Sequence, residues 1–207
     1  TMTSGLNDES NLVIKPNLTY LADAGTRWSY SNVFQLLINV IGKASNQDFE
    51  TYFNAKLKNK IGMDGFWNFG TIFTIYHSNT RSMARFGLLL LNKGKWKNEQ
   101  IINENYVNET TNSSQDINPS YGYLCWLNGK SKYMVPGSQT VYPTALVPNA
   151  PSDMFSAMGA EDQRIYVIPS KNMVIVRMGD ASDPQNPNFA LSGFDAALWD
   201  KINAVVR

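Results

Sequence analysis

Arg164-Ile165-Tyr166-Val167-Ile168-Pro169-Ser170-Lys171-Asn172-Met173-Val174-Ile175-Val176-Arg177 is the stretch on which the fold turns. Two runs of β-branched and aromatic residues flank the turn sequence Pro169-Ser170-Lys171-Asn172, which predicts an antiparallel hairpin. Apolar character is nearly continuous in both runs rather than alternating. Strands of that kind are covered on both faces, so helices are expected above and below this sheet. One is the last helix of the chain, where Phe194, Leu198, Ile202 and Val205 fall on one side. Upstream, Ser156 to Gly159 reads as a strand edge and Tyr121-Gly122-Tyr123-Leu124-Cys125-Trp126 as a further strand. The Pro- and Gly-rich connection from Lys132 to Asp153 is too long for an ordinary hairpin loop and is expected to cover a cleft.

The earlier part of the chain is helical. After Arg27-Trp28-Ser29-Tyr30-Ser31-Asn32, apolar Val33, Leu36, Leu37, Val40 and Ile41 recur at helical spacing, predicting a helix from near Asn32 with one buried stripe. Ser45-x-x-Asp48 resembles a capping box opening a second helix, whose apolar face is Phe49, Tyr52, Phe53 and Leu57. Phe66, Trp67, Phe69, Phe73 and Tyr76 then crowd what reads as a loop. Thr80 is expected to cap a third helix, with Met83, Phe86, Leu90 and Leu91 on its apolar face, Gly87 permitting close packing and Gly94 ending it. A short helix starts at Asn103 or Glu104. Helices first, then strands, then a helix returning to the sheet make an α+β protein, one domain over residues 1–207. About 1–118 is mostly helical, and about 119–207 carries the sheet strands and the C-terminal helix.

Composition narrows the function. The chain has 207 residues, 43% of them hydrophobic, enough for a sizeable core. Its formal net charge is +1, with scattered basic residues, so neither a nucleic-acid footprint nor a polybasic membrane patch is expected. Cys125 is the sole cysteine, which excludes an internal disulfide and a cysteine-rich metal site. No apolar run reaches transmembrane length. Walker, Rossmann and EF-hand patterns are missing. His77, the sole histidine, sits among the aromatics before the third helix, where a structural or surface role is expected rather than a place in a Ser-His-Asp triad. Glu161-Asp162 lies between predicted strands and is expected to be solvated. Asp23 and Asp153 join these two in no paired-carboxylate pattern.

What remains is Tyr30 and Asn32, two residues apart where a loop becomes a helix. The phenol can give or take a proton, and the amide can both donate and accept hydrogen bonds. Around them stand further pieces in order: Met2-Thr3-Ser4-Gly5-Leu6, Gly25-Thr26-Arg27-Trp28-Ser29-Tyr30-Ser31-Asn32, Ile61-Gly62-Met63, Arg81-Ser82-Met83-Ala84-Arg85-Phe86-Gly87, Gly94-Lys95-Trp96, Tyr121-Gly122-Tyr123, and Gln163 through Ser170 leading to Val174-Ile175-Val176-Arg177. This succession resembles the C-terminal part of the serine beta-lactamase-like family. That family includes class C beta-lactamases, DD-peptidases, related esterases and amide hydrolases such as 6-aminohexanoate-dimer hydrolase.

The resemblance implies a beta-lactamase/transpeptidase-like α+β fold, with a helical subdomain and an antiparallel sheet flanked by helices. It implies that Tyr30 is catalytic, assisting proton transfer, and that Asn32 binds substrate and the catalytic lysine. The family's third motif falls near Ala157-Met158-Gly159, making Met158 and Gly159 substrate-binding residues, with an oxyanion donor expected from the backbone between Ala160 and Gln163. Its first position here lacks a cation or imidazole, so ester, amide or peptide chemistry is favoured over true beta-lactamase activity. The family's nucleophile sits in Ser-x-x-Lys, and none occurs here in a helical context: Ser10 leads into polar loop, and Ser131-Lys132 has the wrong spacing. The resemblance therefore implies a part without the N-terminal strands and nucleophile helix, inactive alone, with the missing N-terminal segment as a partner. In the full-length protein it implies two-step acyl transfer on a small or peptide-like ester or amide, without cofactor or metal, in an exported or periplasmic setting. The alternatives are a non-catalytic penicillin-binding-like protein and a true class C-like beta-lactamase.

Overall fold

The structure is a computed structural model that describes residues 2–7, 10–185, 191 and 193–206. The Tyr30 stretch enters a 3₁₀ turn at Asn32–Leu36 that continues as α1 (Leu37–Ser45). Asn46 ends α1 in the left-handed region, at φ 51°. The apolar stripe is where sequence and structure part. Leu36, Leu37, Val40 and Ile41 are exposed rather than buried. Next, α2 (Phe49–Phe53), a π turn at Asn54–Lys58 and α3 (Asn59–Ile61) run on as one helical stretch. Its cap is Asp48 itself, accepting from Thr51 N at 3.0 Å, and not Ser45. A carboxylate caps as well as a hydroxyl, so the two candidates are indistinguishable in sequence.

The aromatic loop is instead a hairpin, β1 (Gly65–Phe69) against β2 (Thr74–Ser78). Trp67 and Tyr76 pair across it and pack on Phe49 and Phe53, whose rings lie 5.1–5.2 Å from theirs. Aromatics stand on both faces of this hairpin, which hides the period-two alternation. Helix α4 (Thr80–Leu91) is capped by Asn79, accepting from Ser82 N at 2.8 Å, one residue ahead of the predicted Thr80. Two short strands, β3 (Lys95–Trp96) and β4 (Glu99–Gln100), form a small hairpin before α5 (Glu104–Thr110), which Asn103 caps.

The main sheet has four strands in the order β10-β9-β8-β5, formed by β5 (Trp126–Leu127), β8 (Phe155–Met158), β9 (Arg164–Ile168) and β10 (Met173–Arg177), all antiparallel. Between β5 and β8 lies a two-stranded excursion, β6 (Tyr133–Met134) with β7 (Val141–Tyr142). The predicted strand from Tyr121 shrinks to β5 and a bridge between Tyr121 and Trp126, because Leu124 turns into the left-handed region at φ 55°. Strand β8 is not at the rim: β9 and β5 flank it.

Both faces of the sheet are covered, as continuous apolarity requires. On one face α4 packs on β9 and β10; an added Cβ at Gly87 would lie 2.6 Å from Val174 Cγ1, so only glycine permits this approach. On the other face α6 (Phe194–Val205) brings Trp199, fully buried, to Tyr166 at 5.7 Å between ring centroids. Two buried amides pin the β5–β8 excursion. Asn128 donates to the carbonyls of Val147, Ala150 and Pro151 and accepts from Val147 N. Asn118 accepts from Met134 N and donates to its carbonyl. The excursion then reaches the Tyr30 stretch through Gln139, whose Nε2 donates to Trp28 O at 3.0 Å.

Candidate active site

Strand alternation decides what faces what. Ser156 and Met158 point to the α6 face of the sheet, Phe155 and Ala157 to the α4 face. Trp126 sits opposite Ser156, on the α6 face. Tyr30 stacks on Trp126 with centroids 6.0 Å apart and planes 8° from parallel, and meets Tyr121 and Phe34 edge-on at 5.9 and 5.8 Å. Trp28, fully buried, supports both Tyr121 and Trp126. Thus an aromatic box brings Tyr30 against the same core as Met158, across more than a hundred residues of chain.

Burial raises the pKa of Tyr30 above the ordinary phenol value, and its hydrogen bond with Tyr121 offsets this only in part. Tyr121, the deeper phenol, is raised further by its own burial and then by Tyr30. At neutral pH Tyr30 is a neutral phenol, equipped to donate a proton; accepting one calls for an added cation beside it. Asn32 is buried, and its Nδ2 donates to Asn11 O at 2.9 Å, tying the helix mouth to the N-terminal loop.

Met158 is buried in the core with Trp126, Tyr166 and Trp199, so its side chain is committed there. The register gives that backbone a direction. Gly159 N donates to Gln163 O at 2.9 Å, and on the other side Asn128 N donates to Met154 O at 2.9 Å. In an antiparallel ladder alternate residues bond alternate neighbours, so Met154, Ser156 and Met158 direct their N–H and C=O groups toward β5. That strand begins only at Trp126, opposite Ser156. The Met158 amide therefore faces the side where no β5 residue stands opposite it. Gly159, in contrast, has both backbone groups engaged, its carbonyl accepting from Arg164 Nη1 at 2.8 Å. Of the backbone proposed between Ala160 and Gln163, the Gln163 amide is spent on Ala160 O.

A buried ionic network lies beneath that turn, and the sequence concealed it. Arg164, 2% exposed, donates through Nε and Nη2 to both oxygens of Asp195 at 2.8 and 3.1 Å, and through Nη2 to Asp162 at 3.0 Å. Tyr166 donates its hydroxyl to Asp195, and Ser182 donates N–H and hydroxyl to Asp162 at 2.9 and 2.6 Å. Burial pulls the Arg164 pKa down, but Asp195, then Tyr166 and Asp162, hold it above the ordinary value. Asp162 is buried, correcting the expectation of a solvated pair. An arginine opening an apolar strand and an aspartate in the first turn of a later helix were the only clues, and nothing local joins them.

Other candidates fall away. His77 is exposed and stacks on Phe66 at 5.2 Å. The hydroxyl oxygen of Ser10 accepts from Leu12 N and Asn17 Nδ2 in an exposed loop. Burial pushes the Cys125 thiol up to about 12, which leaves it inert as a nucleophile. On the α4 face a cavity of about 210 Å³ is lined by Phe86, Leu90, Val107, Phe155 and Ala157; Tyr30 and Met158 are not among its walls. Among the described residues no cluster of three or more His, Cys, Asp or Glu is placed to hold a metal, and no helix is long and apolar enough to cross a membrane.

No protein-family model and no curated protein matches the sequence. Solved structures do match in fold. A beta-lactamase from Mycobacterium bovis superposes with a TM-score of 0.66 at 20% identity, covering 99% of this chain and 70% of that one. A Bacillus anthracis protein described as a 6-aminohexanoate-dimer hydrolase gives 0.64 at 18% identity, over 91% of this chain and 46% of the other. A penicillin binding protein from Bacillus halodurans gives 0.58 at 16%, over 99% and 72%. The chain thus spans from under half to under three quarters of the length of these relatives. The shared property is the architecture: a mixed α+β fold with a helical subdomain and an antiparallel sheet flanked by helices, of the beta-lactamase/transpeptidase kind.

Proposed function

We propose that these residues are part of a serine hydrolase that works by acyl transfer through a Ser-Lys-Tyr site on an ester or amide, peptide-like substrates included. The serine and lysine lie outside residues 1–207 in this reading. The observation that carries it is the convergence of Tyr30 on the sheet through Trp126, beside a β8 end whose Met158 amide has no β5 residue opposite it, within a fold of this kind. The serine hydroxyl attacks the substrate carbonyl and its proton passes to the lysine amine. The carbonyl oxygen becomes an oxyanion that the Met158 N–H stabilises. Collapse of the tetrahedral species expels an alcohol or amine, which takes its proton from Tyr30. Water then attacks the acyl-enzyme, giving its proton to the Tyr30 phenolate, and the lysine ammonium returns its proton to the departing serine oxygen, so that the acid is released and all three groups are restored.

Ester and amide substrates are preferred over beta-lactams because Ala157 offers no charge to a substrate carboxylate. The cation nearest in the sheet, Arg164, is buried and committed to Asp195 and Asp162. The raised Tyr30 phenol gives specific support to one other reading, a ligand-binding protein without turnover. The experiment that separates them treats the protein encoded by the whole gene with a 4-nitrophenyl ester and reads intact mass. A one-acyl adduct mapping to a serine outside residues 1–207 is expected, and residues 1–207 alone are expected to give none. No adduct on the whole protein, or one within residues 1–207, contradicts the proposal.

A further inference from the structure

The turn closing β8 onto β9 is built at a conformational cost. Glu161 and Asp162, consecutive and neither of them glycine, both occupy the left-handed region, at φ 56° and 57°. Residues held so persist only where the surroundings over-determine them, and such strain is stored at working positions. The surroundings here are unusually complete. Arg164 grips the turn from below through the Gly159 carbonyl at 2.8 Å and the Gln163 carbonyl at 3.1 Å. Arg177 Nη1 holds the Glu161 carbonyl from β10 at 2.8 Å. The Gln163 side chain adds a bond to Glu161 O at 3.1 Å, and Ser182 anchors the Asp162 carboxylate.

Stability alone does not account for this arrangement. Buried ion pairs lose in desolvation much of what they gain by attraction, and well-packed apolar residues often serve as well. What an apolar core cannot do is fix the direction of a carbonyl group. A planar guanidinium can, since its fork presents several donors in set directions. Arg164 uses Nε and Nη2 on the carboxylates and keeps Nη1 for the two carbonyls that close the hairpin.

We infer that Arg164, locked by Asp195 and Asp162, is a positioning residue: by holding the Gly159 carbonyl, on a residue whose N–H Gln163 O already holds, it fixes the end of β8 and so aims the Met158 amide, two peptide planes before that carbonyl, at the reacting carbonyl oxygen. This rests on the acyl-transfer reading above. Arg164 touches no substrate; it acts through the Gly159–Gln163 closing pair. Lysine cannot replace it, because one ammonium cannot span Asp195 and both carbonyls in the guanidinium's geometry. Asp162 contributes by pinning the strained corner to Ser182 while leaving the Arg164–Asp195 pair whole.

The test measures, on the whole-gene protein, the acylation rate constant and KM for a 4-nitrophenyl ester, both normalised to the folded fraction, alongside a thermal melt. Arg164→Lys is expected to slow acylation on the order of 10²-fold, as a misplacement near 1 Å does, with KM within about twofold of wild type. Asp162→Asn is expected to slow it about tenfold, a partial loss of aim against a donor whose removal costs 10²–10³. If Arg164→Lys fails to fold, Asp162→Asn decides. Wild-type acylation per folded molecule in Asp162→Asn, or in a folded Arg164→Lys, overturns the positioning role even if the melts shift, because a structural clamp moves only the melt. A wild-type protein giving neither turnover nor adduct removes the acyl-transfer reading and this inference with it. An active wild type with unaltered variants removes this inference alone.

Discussion

The turn at Gly159–Gln163 and the helix α1 stand at opposite extremes of how a chain treats its side chains. In the turn, a guanidinium 2% exposed and carboxylates 3–4% exposed are fully dried, and each is matched by a partner at hydrogen-bond distance. In α1, apolar side chains that burial would favour lie open: Leu37 is 36% exposed and Val40 57%, and on the nearby hairpin Phe66 reaches 61%. Periodicity guarantees that a helix has an apolar face, not that something meets it. A buried charge, on the other hand, cannot exist without its partner. Removing a group from the first region should therefore cost far more than changing one in the second.

The largest effect is expected at Asp195. Asp195→Ala strands the buried Arg164 and should lower unfolding stability by about 3–5 kcal/mol, read from urea denaturation. A loss under about 1 kcal/mol would erase the contrast between the regions. Alkaline pH probes the same dried interior by titration. Burial raises the Cys125 thiol from 9.0 to about 12 and also raises Tyr30, Tyr121 and Tyr166. The folded state thus favours the protonated forms. Their contribution is whole below pH 9, and Cys125 alone should remove up to about 1.4 kcal/mol per pH unit as pH climbs from there toward 12. A flat urea midpoint from pH 8 to 10.5 would contradict this. Asn79→Ala, which unmakes the cap of α4, should cost about 1 kcal/mol. Smallest of all, Val40→Lys in α1 is expected to change stability by no more than about 0.5 kcal/mol; a loss above 2 kcal/mol would show that this face is packed after all.

The same contrast sets what the sequence disclosed. Residues 164–168 and 173–177 read correctly as strands because buried strands carry unbroken β-branched runs, and Gly87 announced its close contact because the approach of Val174 tolerates no Cβ. Caps were legible only to within a residue or three, since Ser45 and Asp48, or Asn79 and Thr80, are chemically equivalent openings. Hairpin β1–β2 escaped because Phe66 and Trp67, adjacent and both aromatic, point to opposite sides. The contacts around the candidate site were legible only in part. Tyr30 and Asn32 stood out by residue type, but the stacking of Tyr30 on Trp126 joins residues 96 apart, and Arg164 meets Asp195 across 31. Such contacts are made by topology, and no local pattern encodes them. Neither could residue type tell that the Met158 side chain would go to the core.

The most direct test of the account is the acylation rate of the whole-gene protein with Tyr30→Phe, measured by quenched flow on an alkyl ester, whose alcohol must take up a proton to leave, together with a thermal melt. Loss of a proton-transfer group predicts a fall of about 10²-fold or more with the melt within a few degrees of wild type. Acylation at the wild-type rate in a folded Tyr30→Phe protein would contradict it.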